Sequence, residues 1–176
     1  MQTMTISRPA ADEYAPYYGK YLSLVQDDDG LQALSTQIEA TASLLARVDE
    51  QRATHRYAPG KWSIKQVVGH LADAERVFAY RALRFARADQ TPLPGFEQND
   101  YAAHGDFDAR RLADLVLELR AVRAASIALF GSFSPETALR RGTANDTSMS
   151  VRALVWTIAG HELHHRGLLM ERYGLK

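Results

Sequence analysis

No cysteine occurs among the 176 residues. Disulfides, thiolate metal ligands and a thiol nucleophile of the chain's own are thereby excluded, which leaves histidine and carboxylate as the strong ligands on offer. Charge of one sign is not in excess either: Lys+Arg and Asp+Glu stand at 21 each, so bulk charge gives no support to a nucleic-acid or acidic-membrane surface. No apolar run is long enough to span a bilayer, and the opening residues MQTMTISRPAADEYAP lack a basic region followed by an apolar stretch. A cytoplasmic protein, with neither membrane nor nucleic acid as partner, is expected. Repeats, low-complexity segments and strand-like alternation are also missing. What remains is an ordinary soluble composition, 46% apolar and 24% charged. The length suits one domain over residues 1–176, with the first ten flexible.

Periodicity predicts helices. Residues 12–25 carry Tyr14, Tyr17, Tyr18, Tyr21, Leu22 and Leu24, consistent with a short aromatic helix. Asp27, Asp28, Asp29 and Gly30 mark a turn whose acids suit the start of a helix over residues 31–48, with Leu31, Leu34, Ile38, Ala42 and Leu45 on one face. Ser63 and Gln66 form a capping box that opens a long helix to about residue 88, with Val67, Leu71, Ala74, Phe78 and Phe85 inward. Arg76, Arg81, Arg84 and Arg87, near Glu75 and Asp89, read as a solvated face. A long connection over 89–107 precedes a helix over 108–130, and residues 142–148 read as polar loop before the last helix, 150–173. The expected architecture is all-α, a four-helix bundle with long crossover connections and a short extra N-terminal helix.

The last helix contains His161-Glu162-Leu163-His164-His165. At about 100° per residue, His161 and His165 lie about 40° apart on one face, and His164 about 60° to the other side of His161. The pair interrupts an apolar stripe running through Leu154, Ile158 and Leu168. Buried polar rings need partners, and one cation serves two imidazoles at once. His161-Glu162-x-x-His165 also spells the zinc-protease signature, in which the glutamate is a general base. Its extension fails, because Gly167, Met170 and Glu171 do not match the third-ligand spacing. Residues 166–176 are too few for a later ligand-bearing helix, so a third ligand is expected upstream. His70, on the edge of the capped helix's stripe, leads; Asp73 one turn on is a candidate to orient a ligand imidazole. Within the 89–107 connection, Phe96 and Gln98 are candidate substrate groups, with Tyr80 a further one; the segment either overlies the site or serves as a crossover.

These residues resemble the DinB-like (damage-inducible) metal-binding four-helix-bundle family, unrelated to the polymerase of that name. The resemblance runs from about Tyr14 to Tyr173. It is carried by Asp12–Tyr18, by Gly60-Lys61-Trp62-Ser63-Ile64-Lys65-Gln66 leading to His70-Leu71-Ala72-Asp73-Ala74-Glu75-Arg76, by Pro94-Gly95-Phe96-Glu97-Gln98 and by Gly160–His165. It implies three ligands at His70, His161 and His165, a divalent metal such as zinc or nickel with open positions, and homodimers. Relatives include transferases that use low-molecular-weight thiols such as bacillithiol or mycothiol, and a mycothiol-dependent isomerase.

Three functional readings compete. In the first, the metal activates a small thiol for transfer, or water for hydrolysis, on a small-molecule substrate; Asp73, Glu162 and His164 are the candidate helpers. The second is a non-catalytic metal-binding stress-response module, which a fourth protein ligand would favour. The third, a metalloprotease, requires Glu162 beside the metal.

Overall fold

A computed structural model of the chain describes residues 4–176. Of the ten residues expected to be flexible, the first three lie outside the described ones, and Ile6 is packed into the fold. Ile6 is buried, its N–H donates to Asp29 Oδ1 at 2.9 Å, and its carbonyl accepts from Gly30 N and from the Trp156 indole. The single helix expected over 12–25 is instead two 3-10 turns, Ala11–Glu13 and Pro16–Tyr18, and one α-helical turn, α1 (Gly19–Leu22). Pro16 is the reason: the residue before a proline is pushed into extended backbone, and Ala15 sits there at φ −67°, ψ 148°.

Helix α2 (Gly30–Leu45) starts on Asp29, whose carboxylate accepts from Leu31 N. Asp49 caps a single turn, α3 (Glu50–Ala53). The Ser63/Gln66 capping box opens α4 (Ile64–Ala86) as expected. The connection that follows holds a short helix of its own, α5 (Gln98–His104), begun by the Glu97 side chain. After α6 (Leu112–Gly131) and the single turn α7 (Pro135–Ala138), the stretch read as polar loop forms an antiparallel hairpin of β1 (Arg141–Ala144) and β2 (Thr147–Ser150). Asn145 and Asp146 make its two-residue turn, both at positive φ (50° and 55°), the conformation that matches strand twist. Leu93 bonds to Thr143 and Asn145 and so fastens the 89–97 segment to the hairpin. Ser150 then caps α8 (Val151–Glu171).

The bundle consists of α2, α4, α6 and α8. Helices α4 and α2 each pack against both α6 and α8, so α2 lies diagonally from α4, and α6 from α8. The apolar core falls into two clusters. One gathers Leu34, Phe78, Phe85, Phe130, Leu154 and Trp156, the other Ile38, Leu45, Val67, Leu71, Leu115 and Leu169. The early turns of α2 and α8 join the later turns of α4 and α6 in the first cluster, so α4 and α6 run parallel. A parallel pair obliges the chain to travel back along the bundle between them, which accounts for the long crossover through residues 87–111.

Between the clusters each helix breaks its apolar stripe with buried polar groups: Gln37 and Thr41 on α2, His70 and Glu75 on α4, Arg123 and Ser126 on α6, His161, Glu162 and His165 on α8. Together they form a polar layer across the middle of the bundle.

Candidate metal centre

Helices α4 and α8 are direct neighbours and bring His70 to face the His161/His165 pair. His161 Nε2 lies 3.0 Å from His70 Nε2 and 3.2 Å from His165 Nε2, with all three rings buried. Burial holds the His70 pKa down at about 4 and pushes His161 and His165 well below the usual histidine value, with neighbouring imidazoles adding to the effect. The rings are therefore neutral at pH 7, the form that ligates metal. Two nitrogens bound to one ion at about 2.0–2.1 Å, at tetrahedral to octahedral angles, sit roughly 2.9–3.4 Å apart. Both separations fall in that interval, so the donor set fits a divalent ion.

Packing orients the rings. The Nδ1 atoms of His70 and His165 have no hydrogen-bond partner among the described residues. The Trp62 indole lies 4.7 Å from the His70 ring and stacks within 16° of parallel on His165 at 6.3 Å. Tyr21 and Phe78 meet His161 edge-on at 5.5 and 6.1 Å. Gly160 makes the Tyr21 contact possible: a Cβ there would come within 2.1 Å of the Tyr21 carbonyl oxygen. No fourth His, Cys, Asp or Glu joins the cluster among the described residues.

His70 and His161 line a cleft of about 410 Å³. Its walls come from the tyrosines around α1, the Ala74–Phe78–Arg81 side of α4, the 95–98 segment and the hairpin. Phe96 and Gln98 line it. Tyr80 does not: it is 51% exposed and bonded to Arg84. Asp73 pairs with Arg76 and hydrogen-bonds no histidine, so it does not orient the cluster. His164 is half-buried against Tyr21, outside the group of three.

Glu162 faces the opposite way. Its carboxylate accepts from Thr41 at 2.5 Å and from Gln37 at 3.1 Å, and pairs with Arg123 at 2.8 Å. Arg123 also forks onto Glu75 at 2.9–3.2 Å and donates to Leu34 O. A carboxylate so engaged is no general base at the histidines, and the protease reading loses its base. Two residues read as a solvated face on α4 are corrected here: Glu75 is buried under Arg123, and Arg81 is buried in the cleft wall. Spacing held the signal for both. Glu75 falls four residues after Leu71 on the α4 stripe, and Arg81 eleven residues, about three turns, after His70.

The sequence profile of the DinB superfamily matches residues 33–169. A protein of Oceanobacillus iheyensis named "Putative metal-dependent hydrolase OB0413" is 27% identical over 77 residues, 43% of this chain and 44% of that protein. The match thus spans less than half the length of that relative. Among solved structures, YfiT from Bacillus subtilis, described as a probable metal-dependent hydrolase with an unusual four-helix-bundle topology, superposes with TM-score 0.69. It shares 14% identity over 97% of this chain and 95% of that one. A mycothiol-dependent maleylpyruvate isomerase superposes with TM-score 0.64 and 15% identity, over 78% of this chain and 58% of that one. At those identities the likeness is one of fold.

Proposed function

This chain belongs to the DinB superfamily, and from that premise we propose that it is a metal-dependent enzyme acting on a small molecule, with His70, His161 and His165 as ligands of one divalent ion, zinc or nickel. The observation that carries the reading is the convergence of three buried, neutral imidazoles, two of which line a cleft, with no fourth protein ligand among the described residues. A closed four-ligand sphere would favour the structural module; an incomplete one beside a cleft favours catalysis. When bound, a divalent ion held by three neutral imidazoles retains its full charge and acidifies a water or thiol that joins it.

The chain's own residues do the rest. Trp62 covers His70 and His165, while Tyr21 and Phe78 flank His161 along the cleft. Phe96 and Gln98 face the substrate space. Hydrolysis of a small substrate is the leading reaction, supported by the hydrolase descriptions of the Oceanobacillus protein and YfiT. Transfer of a low-molecular-weight thiol to an electrophile is the second reading. The likeness to a mycothiol-dependent enzyme supports it, and so does the absence of cysteine, which leaves any sulfur nucleophile to be supplied from outside.

Homodimerisation belongs to the same reading. The groove between α2 and α6 beside the exposed Leu117 is the surface that supports it.

The test compares metal-loaded, chelator-treated and His161→Ala protein on ester, amide and lactone substrates, then on small thiols with an aryl halide or epoxide. A metal-dependent rate lost in His161→Ala is expected. No such rate on any substrate would leave the metal-binding module as the better account.

A further inference from the structure

Three cationic side chains are buried among the described residues: Lys65 (5% exposed), Arg81 (3%) and Arg123 (2%). Lys65 meets Glu50 at 2.7 Å, and Arg123 meets Glu75 and Glu162. Arg81 meets no carboxylate among the described residues. Its Nη2 donates to Pro94 O at 3.0 Å, and Tyr18 lines the cleft with it. A guanidinium stays charged in proteins, and a charge taken out of water without a counter-ion is costly. Arg81 lines the same cleft as His70 and His161, so the missing counter-ion has a place to sit.

The surroundings agree in sign. Lys20 holds its ammonium 3.9 Å over the Tyr17 ring and 4.8 Å over the Tyr21 ring at the cleft's tyrosine wall, a further positive charge that acts on His161. The carboxylate on the cleft wall is Glu97, which is exposed and turned to Asn99 N at the start of α5. The apolar wall between the ends is Phe78, with Phe96 opposite Arg81 at 6.0 Å. His70 and Arg81 sit eleven residues apart on α4, roughly 16 Å along the axis and within about 20° of one face.

We propose that the cleft takes a small organic carboxylate, its acid group held by Arg81 with Tyr18 and its body lying along Phe78 towards His70 and His161. A carboxylate fits better than a phosphate. A single guanidinium matches two coplanar oxygens, whereas a phosphate dianion calls for more than one cation, and Arg81 is the one buried cation lining the cleft among the described residues. The proposal rests on the histidine cluster being the reacting end, but the anion's affinity is a property of Arg81 and is measurable without metal.

Calorimetric titration of benzoate, phenylacetate and 3-phenylpropionate, each beside its neutral amide, and of inorganic phosphate, tests it on chelator-treated and metal-loaded protein. At least one carboxylate is expected to bind both forms at least about tenfold more tightly than its amide. Loss of a charge-assisted pair in Arg81→Gln should weaken that carboxylate about ten- to hundredfold, with amide affinity and metal content unchanged; Arg81→Lys should recover part of the loss. Equal affinity for carboxylates and amides in the wild type overturns the proposal even if the variants fail to fold. So does wild-type carboxylate affinity in a folded Arg81→Gln protein, or phosphate binding more tightly than every carboxylate. If the wild-type chain binds no metal while Arg81-dependent carboxylate affinity persists, the metal assignment falls and the anion site stands.

Discussion

His161 is the histidine on which both close contacts converge, since its Nε2 meets those of His70 and His165. Removing it should abolish stoichiometric metal binding, as should His70→Ala and His165→Ala. His164→Ala, which alters a ring outside the cluster, should retain one ion per chain; elemental analysis of the four purified variants decides. Acid should act through the same rings. In the unfolded chain they titrate near 6.5, whereas His70 in the folded chain does so at about 4 and the other two lower than usual. A lowered folded-state pKa means the unfolded chain takes up protons first as pH falls. Stability is then complete above about pH 6.5 and drains away as pH falls towards the folded values, His70 alone contributing about 3 kcal/mol. Denaturant melts of metal-free protein at pH 7.5 and 5 should show the loss, and identical midpoints would mean these rings are not buried neutral. Bound metal adds to the slope, because protons and the ion compete for the same nitrogens.

At the level of elements, the helices that carry the site were legible because each obeys a local rule. Ser63/Gln66 reciprocal capping starts α4, Asp29 starts α2, and i, i+4 spacing puts His161 and His165 on one face of α8. What escaped was set by partners remote in sequence. The hairpin is short, and Asn145-Asp146 was its one available cue. Arg81 and Glu75 look like solvent-facing helix charges until the 94–97 segment and α6 are laid over them. Glu162 looks catalytic until α2 and α6 occupy both its oxygens. Gly160 belongs to this scale too, since it lets α1 lie directly on α8. Gly160→Ala would drive a methyl group into the Tyr21 backbone and should cost about 1–3 kcal/mol, the usual penalty of overpacking. The expected result is a lower unfolding midpoint together with weaker metal binding, because the Tyr21 wall against His161 is displaced. A midpoint equal to wild type would mean the contact yields freely.

For the whole molecule, the polar layer both divides and joins the core. Arg123 on α6 reaches Leu34 O on α2, Glu75 on α4 and Glu162 on α8, so one side chain bonds to the three other bundle helices. Its removal strands two buried carboxylates, and Arg123→Met should destabilise the fold by about 3–5 kcal/mol, read by chemical denaturation. Sedimentation at micromolar concentration checks the dimer, a single monomeric species removing it. The two tryptophans of the chain are divided between the two halves of the core: Trp156 lies within the cluster of Phe85 and Phe130, while Trp62 packs on that of Leu71 and Leu169 and touches His70. Each half therefore carries its own fluorophore. In Trp62→Phe protein the emission follows one half of the bundle through unfolding, and in Trp156→Phe the other. With Arg123 in place the two emission curves should coincide, and in an Arg123→Met background they should part.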